Sequence, residues 1–118
     1  MWRAIVFPAI AVLASCASVH REFIVLSWPS GQGHYRFAVV PDHQYGRFIQ
    51  SFTPRMAGID GVDGLRAKLR TLPAGSGVSW TDAECFDIKY PPQPYIDRVT
   101  SLVKSDGIDL ALNPSVCE

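Results

Sequence analysis

A chain of 118 residues, 47% hydrophobic and 19% charged, is the size of one small core and too apolar for a disordered tail, even allowing for an apolar run at its start. Eleven basic and eleven acidic residues give a formal net charge of zero, which excludes binders of nucleic acid that work through excess positive charge.

Met1-Trp2-Arg3 opens the chain with one positive side chain, and residues 4–14 then run apolar. Those eleven residues would span only about 16 Å as a helix, against about 30 Å of bilayer hydrocarbon. A buried core helix would need a polar face and would be interrupted by Pro8. A short apolar run behind a basic residue is the pattern of an export signal, so residues 1–15 are expected to be a signal peptide.

The run ends in Leu13-Ala14-Ser15-Cys16, which resembles the lipobox of bacterial lipoproteins. The resemblance implies cleavage before Cys16, a diacylglyceryl thioether on its sulfur and acylation of the new amino terminus. Several acyl chains, at about 0.8 kcal/mol per buried CH₂, make a lasting anchor. Ala17, where an Asp would signal retention, implies transfer to the outer membrane of a Gram-negative cell. The competing reading is ordinary cleavage around Ser15-Cys16-Ala17. The expected division is signal peptide 1–15, lipidated tether 16–21 and a single α/β domain over 22–118.

With Cys16 assigned to lipid, Cys85 and Cys117 are left as an even number in an oxidising compartment. A disulfide between them would close a loop of about thirty residues and stabilise by roughly 3 to 4 kcal/mol on the loop-entropy model. The rival is a free catalytic thiol at Cys85.

Residues 22–28 (EFIVLSW) read as a strand, 29–33 (PSGQG) as a five-residue turn, and 34–40 (HYRFAVV) as the second strand of a hairpin. Tyr45, Phe48, Ile49 and Phe52 fall at helical spacing and predict a short helix before Pro54, with Gly46 weakening it. A clearer helix follows, capped by Asp60 or Asp63, with Val62, Leu65, Leu69 and Leu72 as its stripe and Pro73 as its stop. Residues 78–81 predict a third strand with Trp80 as a core anchor. A last helix then carries Tyr95, Val99, Leu102 and Val103 on one face and ends at Ser105-Asp106-Gly107, before a final strand at 108–112. This order predicts a two-layer α/β fold: one mixed four-stranded sheet, its first strand antiparallel at an edge, its last three parallel, and the longer helices on one face.

Catalytic patterns are sparse. His43 beside Asp42 just past a strand offers a candidate general base, although neighbours along an extended chain point apart and a polar surface turn accounts for both. His20, His34 and His43 have no metal-ligand spacing, so no metal or cofactor is expected. Asp82, Glu84 and Asp87 bracket Cys85 and can be read as a cation site or as a solvated loop. Arg66, Lys68 and Arg70 form a basic cluster whose simplest reading is a solvated helix face. Trp28, Tyr35, Tyr45, Tyr90 and Tyr95 are either core or an exposed face for sugar or protein contact.

The pattern predicts an exported, lipid-anchored envelope protein, a non-catalytic binding or assembly module that contacts another envelope protein. The alternative is a small cell-wall hydrolase using His43 with Asp42 or a free Cys85.

Overall fold

The computed structural model describes residues 22–114. Five strands form one mixed sheet: β1 (Phe23–Gly31), β2 (His34–Pro41), β3 (Ile59–Asp60), β4 (Val78–Trp80) and β5 (Leu110–Leu112), in the order β3-β2-β1-β4-β5. Three α-helices accompany them: α1 (Tyr45–Ser51), α2 (Gly61–Leu69) and α3 (Gln93–Ser105).

The position of β1 follows from its composition. Ile24, Val25, Leu26, Ser27 and Trp28 are all buried, so this strand has no face to give to water. A strand without a polar face needs cover above and below, and the middle of a sheet is where both covers reach it. β1 accordingly pairs antiparallel with β2 on one side and parallel with β4 on the other. This corrects the expected topology: the first strand is central, and the antiparallel member among the expected four is β2. The expected count of four strands is also short by one. Ile59 and Asp60 pair with Phe37 and Arg36 of β2, and a two-residue strand is too brief for alternation to reveal it.

The hairpin is tighter than a five-residue loop. Gln32 at φ 53° and Gly33 at φ 78° both take left-handed backbone conformations, as a two-residue type I′ turn requires. The register slips between Pro29 and Gly31, which absorbs the extra residue as an irregularity in β1.

Alternation along the strands divides the core into two layers. On one face Val25, Phe37, Val78, Trp80 and Leu110 pack with Leu65 and Leu69 of α2 and with Ile96, Val99 and Val103 of α3. Each such aliphatic side chain contributes about 1.5 to 3 kcal/mol by leaving water. Both longer helices therefore lie on one face, as expected. On the far face Ile24 and Leu26 are covered by Ala83 and Ile88 and by Tyr45, Phe48, Ile49 and Phe52 on and beside α1.

α3 ends as its sequence predicts. Gly107 adopts φ 88°, its N–H donates to the Lys104 carbonyl at 2.9 Å, and the Ile108 N–H donates to the Val103 carbonyl at 3.2 Å. These are the two bonds of a Schellman motif, with Ile108 half-buried against the core. The expected carboxylate cap on α2 is absent: Asp60 holds the N-cap position without a side-chain cap bond, and its carboxylate instead meets Arg36 at 3.3 Å. α2 stops at Leu69, which leaves Leu72 half-buried beyond the helix.

The basic cluster on α2 is also more than a solvated face. Arg66 donates to both carboxylate oxygens of Asp106 at 2.8 Å, and Arg70 adds a third bond at 3.0 Å. The Asp106 side chain is only 10% exposed. Two guanidinium groups hold its carboxyl well below the usual carboxylate range, and the same bonds raise Arg66 above its ordinary value. The pairing ties the C-terminal ends of the two long helices together across 40 residues of sequence.

Candidate binding groove

Two buried serines on neighbouring strands serve as opposite cases. Ser27, on β1 and fully buried, accepts a hydrogen bond from Trp80 Nε1 at 3.0 Å and donates to the Lys89 carbonyl at 2.7 Å. Tyr90 extends this network, its hydroxyl donating to the Trp80 carbonyl and accepting from the Asn113 N–H at 3.2 Å. Burial pushes the Tyr90 phenol up to about 12, because a phenolate there would lose water. All these groups are spent on holding the C-terminal ends of β1, β4 and β5 in place.

Ser79, on β4, is 1% exposed and its Oγ has no hydrogen-bond partner. Val78 and Trp80 point into the helix-covered core, so Ser79 points to the far face beside Ile24 and Ala111, its neighbours in the ladder. Thr81, two residues on, is 4% exposed and its Oγ1 is likewise unpartnered. Trp28 Nε1 is the third such atom among the described residues. Ser79 also belongs to the lining of a groove that Trp28 and Thr81 do not touch.

That groove encloses about 940 Å³ and runs around the starts of β4 and β5 and on along β5. Residues 73–77 form one bank and the turn at 106–109 the other, with Ala111 and Leu112 on the strand itself. Arg70 and Asp106 stand at its rim but are committed to each other, whereas Asp109 is exposed and makes no ion pair among the described residues. Leu112, 43% exposed, is one of two large hydrophobic side chains left open to solvent among the described residues.

β5 also presents a free main-chain edge. The Asn113 N–H donates to the Trp80 carbonyl at 2.9 Å, and Ala111 lies opposite Ser79. In a parallel ladder this turns the main-chain groups of Ala111 and Asn113 toward β4 and those of Leu110 and Leu112 outward. No strand pairs with that side among the described residues.

The residues singled out by sequence fall elsewhere. Asp42 and His43 are exposed on a 3₁₀ turn after β2, away from the β5 groove. Cys85 sits exposed in a second 3₁₀ turn (Glu84–Phe86) and is disulfide-bonded. Cys16 and Cys117 lie outside the described residues, as do the leader and tether. Asp82, Glu84 and Asp87 do not form a metal-binding group, and no cluster of three such ligands occurs among the described residues. Trp28 is core, packed edge-on against Phe52 at 5.0 Å. Tyr35 and Tyr95 meet at 5.3 Å beside a smaller groove of about 340 Å³, and Arg98 lies 5.0 Å over the Tyr95 ring. No helix of the described residues is long and apolar enough to cross a membrane.

Ser79 was not among the candidates from sequence. Its signal was the alternation of Val78 and Trp80 with Ser79 and Thr81, which reads as an ordinary wet face until burial is known.

The fold and groove define a mixed α/β sheet protein, its two longer helices on one face, with β3 and β5 as the edge strands of the described residues. Compared with known protein families, curated proteins and solved structures, the chain finds no match.

Proposed function

We propose that the chain is a lipid-anchored, non-catalytic binding module of a bacterial cell envelope, exported by residues 1–15, tethered through Cys16 and contacting another envelope protein at the β5 groove. The observation that carries this reading is the open groove along β5, where the exposed Leu112 and the strand edge that no other strand of the described residues pairs with lie together.

The hydrolase alternative finds less support. Asp42 and His43 sit in open solvent rather than in a cleft, and a bonded Cys85 carries no thiolate. Cys117 is the proposed partner of Cys85, with Cys16 reserved for lipid.

A photo-crosslinking residue placed at Ala111 in living cells tests the groove. The expected result is a discrete adduct with an envelope protein, and none from the same residue at His43. Equal labelling from both positions, or none from Ala111, would overturn the reading. Intact mass of the mature protein, with a thiol count, tests the anchor and the disulfide together: a lipidated Cys16 terminus and no free thiol are expected.

A further inference from the structure

We infer that the partner at the β5 groove is a second copy of this chain, whose β5 pairs antiparallel with β5 about a two-fold axis through Ala111. This rests on the groove reading above and names the partner.

The register follows from which main-chain groups can still bond. By alternation, the groups of Ile108, Leu110, Leu112 and Pro114 turn outward and those between them turn toward β4. A two-fold axis at Leu110, at Ala111 or at Leu112 sets outward groups against outward groups. At Leu110 it pairs Leu112 with Ile108, whose N–H is already given to the Val103 carbonyl in the α3 cap. At Leu112 it pairs Leu110 with Pro114, which has no N–H. At Ala111 it pairs Leu110 with Leu112 of the second copy, and Leu112 with Leu110. Each of those pairs exchanges both its N–H···O bonds, so every outward donor of β5 is used.

The side chains agree with that register. Leu110 is buried on the helix-covered side and Leu112 shares its face, so the leucines of two copies form one row across the seam and cover Leu112. On the other face Ala111 meets its own counterpart on the axis, where Cα atoms approach to about 4.5 Å and a small side chain fits. Asp109 falls opposite Asn113 of the second copy, a carboxylate against an amide that donates.

Charge does not oppose the pairing. Arg66, Arg70, Asp106 and Asp109 cancel at this end of the sheet, and the whole chain is formally neutral. The two Asp109 carboxylates stand roughly 14 Å apart, at about 3.4 Å per residue along the strands, beyond a physiological screening length of about 8 Å. Such a surface suits a neutral, self-complementary occupant better than a strongly charged one.

Cysteine cross-linking of the full chain, exported in living cells, tests the register. The Cα spacing expected on the axis, about 4.5 Å, lies within the roughly 4.4 to 6.8 Å that a disulfide spans. Under a mild oxidant, A111C is expected to form a reductant-sensitive dimer at least tenfold faster than H43C. D109C and N113C should each dimerise at least tenfold more slowly alone than when co-expressed, because the axis sets one opposite the other. L112P removes an outward N–H while sparing the bonds to β4, and should abolish the A111C dimer in a protein whose circular dichroism is unchanged. L112K keeps that N–H but puts a charge in the leucine row, and should slow the dimer severalfold.

An A111C rate no higher than that of H43C would overturn the inference. So would D109C dimerising alone as fast as it pairs with N113C, or an A111C dimer that survives both L112P and L112K. If photo-crosslinking from Ala111 captures a protein of different mass, self-pairing fails while the groove reading stands. If it captures nothing, both fail.

Discussion

Ser27 and Ser79 differ in little except their neighbours. Both are buried, both lie on parallel strands, and one bonds twice while the other bonds to nothing. Ser27 faces a core in which an indole and a carbonyl were placed to meet it; Ser79 faces a sheet surface flanked by Ile24 and Ala111, neither of which has a side chain able to bond. Burial alone therefore does not tell a structural hydroxyl from a spare one. The distinction lies in what the fold supplies around each oxygen.

The largest test of that contrast is Ser27→Ala. It leaves Trp80 Nε1 and the Lys89 carbonyl without their partner, and chemical denaturation should show a loss of about 2 to 3 kcal/mol. A loss below about 0.5 kcal/mol would mean that the network is not holding the strands.

Asp106 comes next, because it sits on the groove but is spent on Arg66 and Arg70. Asp106→Asn should lower the thermal midpoint by several degrees near neutral pH, on the order of 5 °C for a domain this size. The sign with pH follows from the depressed carboxyl. Its contribution is complete above the unfolded value of about 4 and is lost as pH falls through the folded value below it. Melting curves of the variant and the parent should converge in that acid range; a constant gap would remove the ion pair as the cause.

Tyr90→Phe should cost about 1 kcal/mol at neutral pH, through its bonds to Trp80 and Asn113. Its phenol is raised to about 12, so the tyrosine's contribution is full below about pH 10 and falls away as pH rises toward 12. The parent should thus lose stability faster than the variant over that interval in an alkaline titration.

The smallest effect is the most telling. Ser79→Ala removes an oxygen that bonds to nothing, so stability should change by less than about 0.5 kcal/mol or rise slightly. A loss above about 1 kcal/mol would show that Ser79 already has a partner, and the contrast with Ser27 would collapse.

Much of the frame was readable from local chemistry. Gly107 behind an apolar helix marked a real cap, and the stripe from Val62 to Leu69 marked a real core helix. The central place of β1 was written in the unbroken run Ile24 to Trp28, a pattern that belongs to strands covered on both faces, yet the hairpin drew that strand to an edge. What escaped were features set by distant pairs. Arg66 and Asp106 lie 40 residues apart, and β3 exists only because Ile59 meets Phe37. The groove was hidden for a related reason: no local pattern states that a serine on an alternating strand will be buried and left without a partner.

One consequence concerns where the groove can stand. β1, β4 and β5 run parallel, so their beginnings share one end of the sheet. Glu22 and Phe23 donate there to the carbonyl of Gly77, a residue of the groove's own bank. If Cys16 carries lipid, about six residues separate the bilayer from that point, a reach of some 20 Å at full extension. That length is then the limit on how far the groove's bank at Gly77 can stand from the bilayer surface.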